Sequence, residues 1–308
     1  MNRVIVLWLL IYGSVGLGMG CRVKPRKGEG TPVVIATTTI VADLVRQIGS
    51  PVVQVSALMG PGIDPHLYKA SGGDVARMQS AAMVFYNGLH LEGKMSEIFE
   101  RMEQLGKPTV AVADCIPDSL LLEAPGFGGV YDPHVWMDVS LWSYTVSCVQ
   151  EALSAVFPAY DSLFVRNGER YKAQLEQLHQ EVLQKALEVP EARRVLVTSH
   201  DAFRYFGRAY TFEVRGLLGI STASEAGTAD VRKLADFIVA RQIPAVFIES
   251  SVPARYLEAL KEAVESQGFA LRVAGPLYSD ALGDPGTPEG TYPGMIRYNI
   301  QTIVEALR

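Results

Sequence analysis

Three histidines and one aspartate in this sequence have side chains of the types that proteins use to bind divalent transition metals. His66 and His134 each end an Asp-Pro-His motif, at residues 64–66 and 132–134. His200 follows the apolar segment 195–198, and Asp280 lies in the segment LYSDALG, after the predicted strand 271–273. Three imidazoles and one carboxylate form a ligand set that suits zinc and related ions.

The repeated Asp-Pro-His motif predicts that two of the histidines lie on stiff bends. Proline fixes its own φ and favours an extended conformation at the preceding residue. A single loop histidine is more often a surface residue than a ligand, so each motif alone is weak evidence. The four candidates are separated by 68, 66 and 80 residues (134−66, 200−134, 280−200). Only the fold could therefore bring them together.

The composition is that of a globular protein with room for one large domain or two lobes. The chain has 308 residues, of which 48% are hydrophobic and 20% are charged. Its net charge is −5, and its one basic stretch is the short segment 22–27. This charge distribution argues against nucleic acid as the main partner.

The N-terminus has the pattern of a targeting segment. Arg3 precedes an apolar run over residues 4–11, and small residues then lead to Cys21. This pattern resembles a bacterial lipoprotein signal that ends at a lipidated Cys21. Such signals usually have leucine three residues before the cysteine, where this chain has Gly18. Ordinary secretion and an uncleaved anchor are the alternatives, and the apolar run is short for a membrane span.

The other two cysteines, Cys115 and Cys148, do not have the close spacing of a structural zinc site. An exported protein can form disulfides, but sequence alone does not show that these two residues meet. Cys148 lies in a helical pattern, so we expect it to be a small buried side chain.

Strands and helices alternate along both halves of the chain. The first half has predicted strands at 33–38, 52–58, 83–86 and 109–113, with helices between them and at 141–157. The second half has strands at 195–198, 213–217, 245–248 and 271–273. A helix capped by Thr228 and a closing helix opened by Pro293 are also predicted. This alternation is typical of parallel sheets with crossover helices, and such sheets bind ligands at the carboxyl ends of their strands.

A long helix is predicted between the two halves. Residues 159–187 contain no proline, and Tyr171, Leu175, Leu178 and Val182 form an apolar stripe. We expect His179, on this helix, to be exposed, and we do not expect His90 to be a ligand. The predicted fold is α/β, with two lobes that each contain a mainly parallel four-stranded sheet. The predicted ranges are a signal segment at 1–21, a tether at 22–31, lobes at 32–157 and 191–308, and a linking helix at 158–190.

Six segments resemble the metal-binding receptors of ABC transporters, the family that includes ZnuA and TroA. They are 59–68 (MGPGIDPHLY), 86–92 (YNGLHLE), 132–136 (DPHVW), 199–203 (SHDAF), 247–251 (FIESS) and 279–284 (SDALGD). The resemblance covers essentially the whole chain after the signal segment. It implies metal ligation by His66, His134, His200 and Asp280, in a cleft between two lobes with limited hinge motion. It also implies delivery of the ion to a membrane permease by a monomeric receptor.

Two departures from the family pattern concern the choice of metal. Zinc receptors of the ZnuA type usually have a His/Asp-rich loop before the second ligand, but residues 116–131 contain no histidine. Manganese-type relatives usually have glutamate at the position of His200. Three imidazoles favour zinc, and manganese prefers more oxygen ligands. We therefore expect zinc, with manganese as the alternative.

Four other carboxylates lie in or near the motifs: Asp64, Asp132, Asp201 and Glu249. Carboxylates that accept the second N–H of a metal-bound imidazole fix the orientation of its ring. Each of the four is a candidate for that role. The alternative roles are loop solvation and helix capping, the latter particularly for Asp201.

Two other classes of function remain open at this point. A zinc hydrolase would use Glu249 as a general base, but four protein ligands would close the metal site and the chain has no HExxH motif. A surface adhesion lipoprotein fits a membrane-anchored, periplasmic or otherwise extracytoplasmic location, but no motif supports adhesion directly. The sequence thus favours a metal receptor that is not an enzyme.

Overall fold

Two four-stranded sheets form the centre of the structure, which is a computed structural model describing residues 30–124 and 130–308. The strands of the first sheet are Val33–Ala36 (β1), Gln54–Ala57 (β2), Met83–Tyr86 (β3) and Thr109–Ala111 (β4). Those of the second are Val195–Thr198 (β5), Glu213–Gly216 (β6), Ala245–Glu249 (β7) and Arg272–Leu277 (β8).

The α-helices of the described residues flank these sheets. They are Thr39–Gly49 (α1), Gly72–Ser80 (α2), Ser96–Gln104 (α3), Val139–Val156 (α4), Asp161–Ala186 (α5), Arg204–Tyr210 (α6), Thr228–Arg241 (α7), Arg255–Glu265 (α8) and Tyr292–Leu307 (α9). The helix α2 begins with the predicted capping box, in which Ser71 and Asp74 each accept the other's backbone N–H.

The two sheets have the same topology. The strand order is β2-β1-β3-β4 in the first and β6-β5-β7-β8 in the second. Every pairing between neighbouring strands is parallel. The predicted α/β fold with two parallel four-stranded sheets is therefore confirmed.

The long helix α5 links the two lobes. It has 26 residues, and at 1.5 Å per residue it spans about 39 Å. Its predicted apolar stripe is buried: Tyr171, Leu175, Leu178 and Val182 are each at most 1% exposed. This stripe packs against α1, α4 and α9, so α5 is held by elements of both halves of the chain.

The largest apolar core is continuous between the lobes. It includes Phe85 and Trp142 from the first half and Phe206, Phe247 and Tyr292 from the second. Two smaller cores lie elsewhere, one around β7, α7 and α8, and the other between the first sheet, α2 and α3. The residues from Thr31 onward form one compact unit.

Two local predictions about helices are wrong. His179 is half-buried rather than exposed, because its Nδ1 lies 3.2 Å from the hydroxyl of Tyr210 on α6. Thr228 is the first residue of α7 rather than its cap. Gly227 occupies the cap position, and its backbone N–H donates to the Asp230 carboxylate.

The expected burial of Cys148 is confirmed, and the disulfide that the sequence left open is present. Cys148 is buried on α4, and it forms a disulfide with Cys115 across a Cα–Cα distance of 5.7 Å. The bond connects α4 to the start of the long segment that leads to His134. The sequence separation of 33 residues hides this proximity.

The predicted signal segment, Cys21 and most of the predicted tether lie outside the described residues. Within the part of the chain that the structure describes, no helix has both the length and the apolar character needed to cross a bilayer.

Candidate metal centre

The two sheets bring the four candidate ligands to one place. His66 lies in the connection between β2 and α2, and His200 lies two residues beyond β5. His134 directly precedes a short 3-10 turn, Val135–Met137, and Asp280 lies three residues beyond β8. One ligand atom from each of the four lies within 4.8 Å of the others.

The separations between these atoms are short and similar. The Nε2 atom of His134 lies 3.3 Å from Nε2 of His66 and 3.3 Å from Nε2 of His200. The carboxylate of Asp280 lies 3.6 Å from Nε2 of His134 and 3.4 Å from Nε2 of His200. Tetrahedral zinc with bonds of 2.0–2.1 Å requires ligand atoms about 3.3–3.4 Å apart. The four groups could therefore hold one tetrahedral ion with little rearrangement.

The four residues are buried to different degrees. His134 and His200 are 0% exposed and Asp280 is 1% exposed, whereas His66 is 7% exposed. The Oδ1 atom of Asp280 has no hydrogen-bond partner among the described residues. A buried carboxylate oxygen without a partner is costly, and a bound cation would satisfy it.

The repeated Asp-Pro-His motif folds the same way twice. The carboxylate of Asp64 accepts the backbone N–H of His66 at 2.8 Å, and Asp132 accepts that of His134 at 3.0 Å. Aspartate commonly bonds the backbone two residues on, and proline between the two residues stiffens the turn. The motif thus fixes the backbone of two candidate ligands before any metal binds.

Of the four surrounding carboxylates, only two contact a candidate imidazole. The Oδ1 atom of Asp132 lies 2.8 Å from Nδ1 of His134, and Oε2 of Glu249 lies 2.5 Å from Nδ1 of His200. Both contacts leave the Nε2 atoms pointing at the centre of the cluster. Ring orientation by a carboxylate is a common support for metal-bound histidine.

The other two carboxylates have different contacts. The Oδ2 atom of Asp64 accepts a hydrogen bond from Thr222, on the segment between β6 and α7, at 2.5 Å. Asp201 faces Arg204, with 3.8 Å between Oδ2 and Nε. Burial, followed by repulsion from Asp132, raises the pKa of Asp201 to about 6. Neither residue orients a histidine ring directly.

Three of the candidate ligands have strongly shifted pKa values. Burial lowers the pKa of His66 to about 3, despite the opposing charge of Asp280. Burial also acts to lower the pKa of His200, but Glu249 and Asp280 together raise it well above the ordinary value. For Asp280, burial is outweighed by the histidines, mainly His200, and its pKa falls below the ordinary value. In the metal-free site, His200 therefore holds a proton between two carboxylates.

Several supporting residues were not identified from the sequence. Asn87 donates from its side chain to the carbonyl of Pro133 at 3.1 Å, next to His134. The buried Glu92 accepts the backbone N–H of Asn87 and the hydroxyl of Thr37. Asn87 and Glu92 belong to the segment 86–92, whose position after a strand was the available signal. The roles of these two residues could not be read from the sequence, because Pro133 and Thr37, the partners of their side chains, are distant in the chain.

The loop of Asp280 is also supported from both lobes. Ser251 donates to Oδ2 of Asp280 at 3.2 Å. The hydroxyl of Thr39, at the start of α1, accepts the backbone N–H of Leu282 at 2.8 Å. His90 and His179, the remaining histidines, are not part of the four-residue cluster.

Comparison with protein families places these features in a known group. The family model described as "Zinc-uptake complex component A periplasmic" (ZnuA) matches residues 34–306, which includes all four candidate ligands. The chain belongs to the ZnuA family. Members of the ZnuA family act as solute-binding receptors of metal ABC transporters, and the two-lobed fold fits that group.

Named relatives within the ZnuA family are similar over most of their length. "Zinc-binding protein TroA" of Treponema pallidum is 49% identical over 286 residues, which cover 92% of this chain and 91% of TroA. "Manganese-binding lipoprotein MntA" of Bacillus subtilis is 46% identical over 275 residues, 89% of each chain. A solved structure of the Treponema pallidum protein aligns with a TM-score of 0.87 over 90% of this chain and 99% of that one.

Proposed function

We propose that this protein is an extracytoplasmic receptor that binds a divalent transition metal and delivers it to an ABC permease for import. Membership of the ZnuA family supports the receptor class. The relatives named as zinc-binding and manganese-binding proteins support the class of cargo. Delivery to a permease is consistent with a site formed between two lobes.

The observation that carries the proposal is the cluster of His66, His134, His200 and Asp280. Four ligand atoms from distant parts of the chain lie within 4.8 Å, and all four residues are buried. Bringing three imidazoles and a carboxylate together in a buried site is costly unless they share a ligand. We assign these four residues as the ligands of the transported ion.

Zinc is the ion that fits this ligand set best. Imidazole nitrogens suit zinc, and the affinity of such sites rises from manganese to zinc. The similarity to relatives does not separate the two ions, since TroA is named for zinc and MntA for manganese at comparable identity. We therefore propose zinc as the tighter ligand and manganese as the competing cargo.

The arrangement supports a binding protein rather than a zinc hydrolase. A catalytic zinc site keeps one position open for water and places a general base beside it. Here four protein groups could fill a tetrahedral shell. Glu249, the candidate base, lies 2.5 Å from Nδ1 of His200, on the side of the ring away from the cluster. We propose that the protein is not an enzyme.

The remaining proposals concern location and organisation. Relatives of this chain are named lipoproteins, and this supports lipidation at Cys21 as the membrane anchor. We propose residues 22–31 as a tether, 32–157 and 191–308 as the lobes, and 158–190 as the linker that contains α5. A monomer would suffice, because all four proposed ligands come from one chain.

The direct test is metal analysis of protein purified without added metal, followed by competition between zinc and manganese. Zinc at a concentration of 100 Kd should stabilise the fold by about 2.7 kcal/mol, because it binds the native state. The thermal midpoint should rise with zinc and fall with a chelator. A midpoint that ignores both would contradict the proposal.

A pair of variants tests the ligand assignment. His66→Ala should weaken zinc binding by more than tenfold. His90→Asn is the matched control, because His90 is exposed and its φ of 63° suits asparagine. The control should bind zinc like the wild type. Unchanged zinc affinity in His66→Ala would show that the ion binds elsewhere.

A further inference from the structure

The short helix α6 begins four residues after His200 and contacts the opposite lobe along its whole length. Tyr205 donates to the carbonyl of Asp132 at 3.0 Å. Arg208 donates to the carbonyl of Leu120 at 2.7 Å, and Arg204 donates to that of Glu123 at 2.8 Å. The helix that follows the third proposed ligand thus holds the segment that carries the second.

Arg204 makes a second contact of a different kind. Its Nη1 atom lies 3.3 Å from Oδ2 of Asp132, whose side chain is fully buried. The other oxygen of Asp132, Oδ1, faces both the backbone N–H and Nδ1 of His134. Arg204 and His134 therefore bind opposite oxygens of one buried carboxylate.

We propose that Arg204 is a positioning residue for His134, acting through Asp132 from the opposite lobe. The inference rests on the proposed metal-binding function. A planar guanidinium that contacts Oδ2 fixes the rotation of the carboxylate about its Cβ–Cγ bond. This rotation determines whether Oδ1 lies in line with Nδ1 of His134. The Nε2 atom of the same ring is then directed to the ion.

The charge of Arg204 contributes as well as its shape. Asp64, Asp132, Asp201, Glu249 and Asp280 place five carboxylates in or around the site. Arg204 contacts two of them, Asp132 and Asp201. A buried carboxylate without a cation nearby is destabilised and tends to move towards solvent or other donors. Loss of Arg204 should therefore weaken the contact between the Asp132 carboxylate and Nδ1 of His134.

The same helix offers a matched control. Arg208 lies one turn beyond Arg204 and also reaches across the lobe boundary, where Nη2 lies 3.5 Å from Oδ2 of Asp138. Asp138 caps α4 by accepting from the backbone N–H groups of Ser140 and Leu141, and it contacts no proposed ligand. Arg208 thus bonds one carbonyl and contacts one carboxylate, whereas Arg204 bonds one carbonyl and contacts two carboxylates. Of these carboxylates, only Asp132, a partner of Arg204, contacts the ring of a proposed ligand.

The experiment compares full-length Arg204→Gln and Arg208→Gln with the wild type. Zinc dissociation constants are measured by chelator competition, and the His134 ring is followed by its ¹⁵N resonances. Arg204→Gln should weaken zinc binding by about tenfold, within the range for loss of a group that supports a metal ligand. It should also shift the Nδ1 resonance of His134. Arg208→Gln should change the zinc affinity by less than about twofold, because it supports no ligand.

A third variant separates positioning from general destabilisation. Arg204→Lys keeps the positive charge but ends one bond short of the Nη1 position. Its zinc affinity should lie between those of the wild type and Arg204→Gln. Equal losses in Arg204→Gln and Arg208→Gln would overturn the proposal, as would a lysine variant no better than the glutamine variant. If Arg204→Gln does not fold, Arg204→Lys against Arg208→Lys gives the same comparison.

The proposed receptor function and the proposed role of Arg204 would be contradicted by different results. A wild-type protein that binds neither zinc nor manganese would contradict the receptor function itself. Tight binding by the wild type and by both Arg204 variants would contradict only the role of Arg204.

Discussion

The indole Nε1 of Trp136 donates a 2.8 Å hydrogen bond to the carbonyl of Ser279, the residue before Asp280. The bond joins the 3-10 turn after His134 to the loop that carries the fourth proposed ligand. Both partners are buried. One lobe thus holds a proposed ligand of the other in place through its backbone.

We predict that Trp136→Phe speeds the release of zinc. The substitution leaves the Ser279 carbonyl without its donor, at a cost of about 1–3 kcal/mol for a buried group. Trp142→Phe is the control, because Trp142 is also fully buried but its Nε1 has no partner among the described residues. Stopped-flow release into excess chelator measures both variants. If Trp136→Phe released zinc no faster than Trp142→Phe, the hydrogen bond from Trp136 would not restrain Asp280.

We predict that zinc binding releases protons at neutral pH. The carboxylates of Glu249 and Asp280 raise the pKa of His200 despite its burial, so the metal-free site is protonated there at pH ~7. His66, with a pKa of about 3, is already neutral. Zinc must displace the proton from Nε2 of His200, and release of about one proton per ion is expected.

The sign of the pH dependence follows from this proton. Raising the pH removes the competitor, so zinc affinity should rise with pH until the pKa of His200 is passed. The dependence extends above pH ~6.5, the ordinary pKa of an imidazole, beyond which an unperturbed histidine would hold little of its proton. Calorimetry at one pH, in buffers with different ionisation enthalpies, counts the protons. A heat of binding that is the same in every buffer would contradict the prediction.

We predict that His200→Glu shifts the site towards manganese. The substitution replaces one nitrogen ligand by carboxylate oxygen, which manganese prefers. The new carboxylate would also lie near Glu249 and Asp280, so the metal-free protein should be less stable. Combining it with Glu249→Gln should restore part of that stability. The measurement is the ratio of the zinc and manganese dissociation constants, and an unchanged ratio in a folded variant would place His200 outside the coordination shell.

A fourth prediction concerns Asp43, which is buried on α1 away from the metal cluster. Its Oδ2 accepts the backbone N–H of Tyr292 at 3.1 Å, at the start of α9. Burial raises the pKa of Asp43, against the lowering effects of this bond and of Arg46. The folded state therefore favours the protonated form, and this contribution to stability is lost as the pH rises through the folded pKa.

Asp43→Asn keeps an acceptor for Tyr292 and removes the ionisable group. The free energy of unfolding of the variant, relative to the wild type, should increase from pH ~4 to pH ~7. Urea unfolding of the metal-free proteins at several pH values measures this difference. A difference that stays constant over this range would show that Asp43 does not titrate as its burial implies.

Local patterns predicted the elements because their causes are local. The β3 and β5 bounds, 83–86 and 195–198, match the predicted strands, and the stripe from Tyr171 to Val182 identified α5. The Asp-Pro-His repeat predicted two stiff bends, and the two aspartate turns explain why. The resemblance to the ZnuA family then indicated that His66, His134, His200 and Asp280 share one site.

The contacts between residues that are distant in the chain could not be predicted, because their causes are not local. Nothing around Cys148 indicates that Cys115 lies beside it, and nothing around Trp136 points to Ser279. The same holds for Arg204, whose partner Asp132 is 72 residues earlier. A single sequence shows which polar side chains require hydrogen-bond partners when buried. The packing of α5 and α6 determines which partners these side chains contact.

The unequal exposure of the four proposed ligands implies an order in which they would release the ion. His66, at 7%, is the most exposed of the four, so we expect ligand exchange to begin when an incoming group replaces it. The ion would then leave through an intermediate that His134, His200 and Asp280 still hold. A membrane partner that takes the ion would first contact the loop of His66, where Ile63 and Leu67 are 41% and 44% exposed. The order in which ligands are lost would thus be set by the protein before the partner arrives.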